Sequence, residues 1–265
     1  MSLGDSEADR VLVLIQAAPR SALHRNPPLL LSHDGSGTIF NYYLLDPLER
    51  DVFGFQDPRA ACGNGWEGGI HQMARLYYDC MKTAVKPGPV LLGGWSFGGL
   101  LSLEISSLII ADPTTGFAVA GIVLIDTVCP TSSVTPPRLS DTKPGTPPQV
   151  LATHDSRKLA ASSMRRAEEL GRSWQFPAWN TTTGNGLMTS GPIPTVLLCA
   201  KDEPRSVTAA QSQLLGWEQY QQYLTMSAIQ ISGTHFSIFH LEHAQALSEQ
   251  MKIACTRFTE GICSL

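Results

Sequence analysis

A serine lies at a strand-to-helix turn within residues 88–105 of this 265-residue chain. The apolar run Val90–Leu92 precedes the turn, which spans residues 94–98 (GWSFG), and apolar residues at helical spacing follow it. Strand, tight turn and helix in this order match the G-x-S-x-G elbow, which presents a nucleophilic hydroxyl above a sheet. The glycines two before and two after the serine suit the strained backbone of such a nucleophile. Ser96 is therefore the predicted nucleophile.

The start of the helix after this turn can stabilise an oxyanion. Its N–H groups have no partner within the helix, and they lie at the positive end of the helix dipole. The N–H of Phe97 is the first predicted donor. A second donor is expected from the flexible loop at residues 33–37 (HDGSG), where the backbone N–H of Asp34 is the predicted group. The side chains of His33 and Asp34 fit equally well an Asx-type turn that caps the next helix.

A serine nucleophile needs a histidine as general base and a carboxylate that holds the histidine. The chain has seven histidines, and among them only His235 follows a glycine, after a predicted strand and before the final helix. Asp126 directly follows the apolar strand 118–125, and catalytic groups of open α/β sheets collect at such strand ends. Asp202, after strand 194–200, is the rival acid. The order Ser96, Asp126, His235 is that of α/β-hydrolases.

Apolar runs and helical patterns alternate through most of the chain. Besides the elbow, strands are predicted at 11–16, 29–32, 51–55, 118–125, 194–200 and 227–231, and helices at 39–48, 70–84, 156–171 and 241–258. This alternation predicts the α/β class and an α/β-hydrolase fold, with a mostly parallel central sheet flanked by helices. Residues 1–10 are predicted to be a disordered N-terminus, and residues 11–265 form one domain.

Residues 130–190 interrupt the alternation and predict an inserted lid over the mouth of the active site. The segment begins with six prolines between positions 130 and 148, continues with a basic helix at 156–171, and ends with the aromatic residues Trp174, Phe176 and Trp179. The aromatic residues either line an acyl channel or anchor the lid onto the body. The basic residues either meet an acidic partner or form a solvated helix face, which is the favoured interpretation.

Composition excludes several classes of partner. The net charge of −4 gives no reason to expect nucleic acid or an anionic membrane surface. No apolar stretch reaches the roughly 18 residues that cross a bilayer. The N-terminus shows no secretory signal, and six cysteines are scattered without C-x-x-C spacing, which predicts a reducing, cytoplasmic location. No metal ion and no cofactor of its own are expected.

Four short motifs resemble those of one family. They are the elbow at 93–99 (GGWSFGG), the early loop at 34–37 (DGSG), the acid at 124–127 (LIDT) and the histidine at 233–236 (GTHF). Together they are similar to the thioesterase domains of polyketide synthases and non-ribosomal peptide synthetases, in particular the fungal polyketide synthase type. The resemblance spans about residues 28–258. It favours Asp126 over Asp202, because general α/β-hydrolases more often place the acid after the later strand.

The resemblance implies an acyl group delivered as a thioester on the phosphopantetheine arm of an acyl carrier protein or synthase. The proline-rich lid departs from the long helical lids of many such domains. The favoured function is a serine thioesterase that releases a polyketide or peptidyl chain through an acyl-Ser96 intermediate, by hydrolysis, lactonisation or carbon–carbon cyclisation. The alternative is a carboxylesterase or lipase on soluble esters. A non-catalytic binding protein is disfavoured because Ser96, Asp126 and His235 are all present.

Overall fold

A seven-stranded, mostly parallel β-sheet forms the centre of the computed structural model, which describes residues 10–19, 26–60, 62, 65–131, 154–177, 179, 191–203 and 212–263. The strands are β1 (Leu12–Gln16), β2 (Leu29–Ser32), β3 (Val52–Phe55), β4 (Pro89–Trp95), β5 (Ala118–Ile125), β6 (Ile193–Ala200) and β7 (Leu224–Ile231). Their order across the sheet is β1-β3-β2-β4-β5-β6-β7, and β1 alone runs antiparallel to its neighbour. The strand that leads into Ser96 therefore lies in the middle of the sheet.

Helices cover both faces of the sheet, which is why its central strands are apolar on both sides. The described α-helices are α1 (Gly69–Ala84), α2 (Phe97–Ala111), α3 (His154–Ser173) and α4 (Leu241–Cys263). One core cluster joins the sheet to α1 and α2, and a second joins it to α4. In the second cluster the ring of Phe258 lies so close to Gly121 on β5 that a side chain at Gly121 would collide with it. The predicted α/β fold with a mostly parallel sheet is confirmed.

One predicted helix is wrong. Residues 39–48 do not form an α-helix but a single short 3-10 helix, Phe40–Leu44, followed by extended backbone at Leu45. Pro47 opposes a helix over these residues, because its ring would collide with the carbonyl group of Tyr43, four residues earlier, and it has no N–H to donate. The predicted final strand begins three residues earlier than expected, at Leu224, and the closing helix continues to Cys263.

Of the predicted lid, the structure describes α3 and the aromatic segment that follows it. Residues 132–153, 178 and 180–190 lie outside the described residues, as do residues 1–9, so the extent of the lid and the N-terminal prediction stay untested. Trp174 and Trp179 are buried, and Phe176 stacks on Tyr220 with 4.3 Å between ring centroids. These contacts support the anchoring interpretation for the aromatic residues. No helix in the described ranges is long and apolar enough to span a membrane.

Candidate active site

Ser96 occupies a strained turn between β4 and α2. Its backbone has φ 55° and ψ −116°, a conformation that side-chain-bearing residues rarely adopt. Its N–H donates to the carbonyl oxygen of Ile125 across 2.9 Å. A side chain at Gly94 would collide with the backbone of Gly98, so the strand and the helix can meet at this turn only because residue 94 is glycine. The elbow has the predicted geometry.

The first turn of α2 packs closely between the loop after β2 and the loop after β5. A Cβ atom at Gly98 would collide with the carbonyl oxygens of Ser32 and His33, at the end of β2. A Cβ atom at Gly99 would collide with the side chain of Thr127, just beyond β5. Gly99 thus makes room for the side chain of Thr127. The two glycines set the distance from the elbow to its neighbouring loops.

Asp126 and His235 form a buried hydrogen-bonded pair. Asp126 Oδ2 lies 2.8 Å from His235 Nδ1, and Asp126 Oδ1 accepts from the N–H of Ala200 across 2.8 Å. Because a carboxylate can only accept, Nδ1 of the ring carries the hydrogen, and Nε2 of the neutral ring is left as the acceptor. The Asp126 carboxylate is fully buried. Both of its oxygens are occupied, so the ring of His235 is held in one orientation.

The histidine ring lies next to the elbow. The rings of His235 and Trp95, the residue before Ser96, have centroids 5.3 Å apart. Among the hydrogen bonds of the described residues, none joins Ser96 Oγ to His235. The hydrogen bond between a nucleophile and its general base is often long or poorly aligned without substrate and shortens when substrate binds.

The rival acid, Asp202, holds the loop of His235 and not its ring. Asp202 Oδ2 accepts from the N–H of Gly233 across 2.7 Å, and the N–H of Asp202 donates to the Gly233 carbonyl oxygen across 3.0 Å. Glu203, which the sequence analysis did not single out, accepts from the backbone N–H of His235 through Oε2 across 2.6 Å. In the sequence, the two acidic residues directly after β6, Asp202 and Glu203, are the feature that could have indicated that both hold the His235 loop.

The predicted oxyanion donors lie at the junction of α2 and the loop after β2. The N–H of Phe97 is the first of α2 and has no intrahelical acceptor. Within the described residues, the N–H groups of Asp34 and Gly35 donate to no protein acceptor. Asp34 Oδ1 accepts from the N–H of Ser36 across 2.7 Å, an Asx-type turn that closes the loop itself and caps no helix. Burial raises the pKa of the Asp34 carboxyl, and hydrogen bonds from Ser36 oppose that shift.

Two hydroxyl groups tie the strand ends together, and the sequence analysis identified neither. Tyr42 donates to the carbonyl oxygen of Ser32 across 2.6 Å and accepts from the N–H of Trp95 across 3.0 Å, so it links the ends of β2 and β4. Thr127 Oγ1 donates to the carbonyl oxygen of Ser96 across 3.1 Å. Both contacts join segments that are distant in sequence, which no local pattern reveals.

A cavity of about 340 Å³ opens beside Phe97. It lies between the loop after β2, helix α1 and helix α3, and its lining includes His33, Gly35, Met73, Phe97, Arg166 and Leu170. Its volume falls in the lower part of the range typical of small-molecule sites. No group of metal-ligating side chains is present in the described part of the chain. The cavity lies next to Phe97 and the loop after β2, which carry the predicted oxyanion donors.

Comparison with known proteins gives consistent matches. A family model described as "Thioesterase domain" matches residues 28–253. Thioesterase AMT4 of Alternaria alternata is 38% identical over 247 residues, covering 92% of this chain and 91% of that protein. The nonribosomal peptide synthetase imqB of Aspergillus flavus is 27% identical over 89% of this chain, which corresponds to 8% of the synthetase. The crystal structure of the NocB thioesterase domain from the nocardicin cluster superposes with a TM-score of 0.68 at 21% identity, covering 92% of this chain and 98% of that chain.

Proposed function

Because the chain belongs to the thioesterase domain family, and is thus a serine hydrolase of α/β-hydrolase fold from biosynthetic pathways, we propose that it releases an acyl chain from a carrier-bound thioester through an acyl-Ser96 intermediate. The acyl chain is a polyketide or a peptidyl group. The proposed donor is the phosphopantetheine arm of an acyl carrier protein or synthase. The likeness to a segment of the imqB synthetase supports such a partner.

The hydrogen bond between Asp126 and His235 beside the elbow is the single observation that carries this proposal. It orients the imidazole so that Nε2 is the basic nitrogen, which is the state a serine nucleophile requires. Asp126 stabilises the imidazolium that forms when His235 takes a proton. The second hydrogen bond to Asp126, from Ala200, keeps the carboxylate in place during this step.

In the proposed acylation, Ser96 Oγ attacks the thioester carbonyl carbon and its proton passes to Nε2 of His235. The negative charge on the carbonyl oxygen is stabilised by the N–H of Phe97 and by a second N–H from the loop after β2, for which the backbone of Asp34 is the proposed group. The tetrahedral intermediate then collapses and the carbon–sulfur bond breaks. The pantetheine thiolate leaves and takes the proton from His235, and Ser96 is left as an acyl ester.

Release of the chain repeats these steps with a different nucleophile. Water gives the free acid, whereas a hydroxyl or carbon nucleophile of the bound chain gives a lactone or a carbocycle. In each case His235 removes the proton of the nucleophile and returns it to Ser96 Oγ, which restores the enzyme. Product analysis identifies which nucleophile is used.

Intact-protein mass spectrometry tests the proposal directly. The protein is mixed with acyl-pantetheine thioesters, with an acylated carrier protein and with matched oxygen esters. A Ser96→Ala variant removes the nucleophile, and a Ser106→Ala variant, which removes a buried hydroxyl elsewhere on α2, is the matched control. We expect a thioester-derived acyl adduct that the control retains and the Ser96→Ala variant lacks. Products are analysed in parallel. Turnover of oxygen esters alone would indicate an esterase, and the absence of both adduct and product with every donor would overturn the proposal.

A further inference from the structure

A buried imidazole lies directly behind the loop that carries the predicted oxyanion donors. His33 is only 2% exposed, and both of its ring nitrogens have partners. Nδ1 lies 2.6 Å from the carbonyl oxygen of Asp34, and Nε2 lies 2.7 Å from the hydroxyl of Tyr77 on α1. The proposed reaction uses neither side chain.

The two contacts define one arrangement of hydrogens. The carbonyl oxygen of Asp34 can only accept, so Nδ1 of His33 is the donor. In a neutral ring Nε2 then accepts, and the hydroxyl of Tyr77 donates to it. Burial lowers the pKa of His33, which keeps the ring neutral, and burial raises the pKa of Tyr77, which keeps its hydroxyl protonated. The result is a directed chain of hydrogen bonds from Tyr77 through His33 to the backbone.

This chain ends on the peptide between Asp34 and Gly35. The carbonyl oxygen of Asp34 also accepts from the N–H of Gly37 across 3.0 Å, so two donors fix its direction. The N–H of Gly35 belongs to the same planar peptide and points the opposite way, and its direction is fixed as well. The preceding peptide is held from its other side, because the carbonyl oxygen of His33 packs against Gly98. Gly35 and Phe97 line the same cavity.

We propose that His33 and Tyr77 are positioning residues for the oxyanion hole. They act by fixing the Asp34–Gly35 peptide, which carries the N–H of Gly35 and directly follows the peptide of the predicted donor, the N–H of Asp34. This inference rests on the proposed function, since an oxyanion forms only if Ser96 attacks an acyl carbonyl. Tyr77 itself is fixed by its ring, which stacks on Phe55 with a centroid distance of 5.1 Å. The loop therefore takes its geometry from the core of the sheet and helix α1, and does not depend on substrate to acquire it.

Two neighbouring tyrosines on α1 provide a matched test. Tyr77→Phe removes the donor to His33, and Tyr78→Phe removes an equally buried hydroxyl that faces Asp112 and Thr115, away from the site. We expect Tyr77→Phe to lower kcat by about tenfold with KM within about twofold, since a whole oxyanion donor is worth about 10²–10³ in kcat and a misdirected one less. Tyr78→Phe should keep the wild-type kcat.

Two substitutions at His33 separate positioning from packing. In His33→Asn the amide nitrogen can take the place of Nδ1 and still donate to Asp34, whereas the longer amide of His33→Gln reaches towards Tyr77 and leaves the Asp34 carbonyl without this donor. The Asn variant keeps the donor to Asp34 but loses the contact with Tyr77, so we expect it to lose less kcat than the Gln variant, which should lose about tenfold or more. Thermal unfolding of each variant shows whether it is folded at the assay temperature.

The rate at which a fluorophosphonate labels Ser96 is the second measurement. This reaction needs a reactive serine and an oxyanion hole but no thioester, so it reports on His33 and Tyr77 even if the wild-type protein does not turn over thioesters. Slower labelling is expected of Tyr77→Phe than of Tyr78→Phe, and of His33→Gln than of His33→Asn. Equal labelling rates for the two tyrosine variants, or an effect on KM alone, would overturn the inference.

Discussion

The hydroxyl of Thr127 donates a hydrogen bond to the carbonyl oxygen of Ser96 across 3.1 Å. This bond connects the loop after β5, which carries Asp126, to the strained turn of the nucleophile. The side chain of Thr127 also packs closely against Gly99, where a Cβ atom would collide with it. This packing helps to hold the Thr127 hydroxyl at the carbonyl oxygen of Ser96. The relative position of the predicted nucleophile and acid is thus set by backbone and side-chain contacts together.

Replacing Thr127 with valine removes this bond and nearly preserves the shape of the side chain. We expect a several-fold loss of kcat and a loss of about 1 kcal/mol in the free energy of unfolding, the typical worth of one hydrogen bond. Thr127→Ser keeps the hydroxyl and should keep the wild-type kcat. Steady-state kinetics and urea denaturation measure the two effects. Equal kinetics for the valine and serine variants would show that the bond does not position Ser96.

Asp126→Asn and Asp202→Asn discriminate between the two candidate acids. An amide at position 126 can present its NH₂ to His235 and favour the wrong tautomer, so we expect kcat to fall by about 10⁴. An amide oxygen at position 202 can still accept from the N–H of Gly233, so kcat should fall by less than about tenfold. A larger loss from Asp202→Asn than from Asp126→Asn would reverse the assignment.

Gly98→Ala tests the close approach of α2 to the loop after β2. The added methyl group collides with two backbone carbonyl oxygens that cannot move without shifting the loop. We expect a loss of about 1–3 kcal/mol in stability, typical of overpacking, together with a large loss of kcat. Gly191→Ala is the control, because no atom of the described residues lies within 4 Å of a Cβ atom at Gly191. Circular dichroism melts and kinetics of both variants provide the comparison.

Glu104 binds Trp174, in the segment after α3, and two substitutions test how much this contact contributes to stability. Its Oε2 accepts from Nε1 of the buried Trp174 across 3.1 Å, and its Oε1 binds the exposed His71 across 2.8 Å. Trp174→Phe leaves a buried carboxylate oxygen without this donor, so we expect a loss of about 1–3 kcal/mol beyond that of the smaller ring. His71→Ala should cost less than about 1 kcal/mol, because the His71 side chain is 62% exposed. Similar losses for the two variants, in chemical denaturation, would contradict this.

Because burial lowers the pKa of His33, we expect the free energy of unfolding to decrease as the pH falls. Its pKa in the folded protein is lowered, so the unfolded chain binds a proton more readily and acid favours unfolding. Its stabilising contribution is complete above the unfolded pKa of about 6.5 and declines as the pH falls below it. The stability of the wild-type protein should therefore decrease more steeply than that of His33→Asn between about pH 7 and pH 5. Parallel profiles would contradict this prediction.

Local patterns were sufficient to predict the elements that carry the site. The elbow is contiguous in sequence, and Asp126 and His235 each follow an apolar strand, where catalytic groups of such sheets collect. The structure places these two side chains within hydrogen-bond distance, as their order in the chain suggested. The predicted strands were found at their expected places with small shifts of their ends, because buried parallel strands are long, apolar runs.

Contacts between distant segments could not be predicted in the same way. Tyr42 was assigned to a helix that does not form, and its role follows from the spacing of β2 and β4. Tyr77 looked like one more apolar position of an amphipathic helix, and its hydroxyl acquires a function only where α1 meets the loop of His33. Glu203 similarly depends on how the loops after β6 and β7 lie side by side.

The separation of Asp126 and His235 by 109 positions has a consequence for protein synthesis. A ribosome delivers β2, the elbow and β5 long before β7 and the loop that carries His235. The growing chain therefore contains the predicted nucleophile, oxyanion donors and acid before it contains the predicted base. We expect the nascent enzyme to remain inert towards acyl donors until the last strand has joined the sheet.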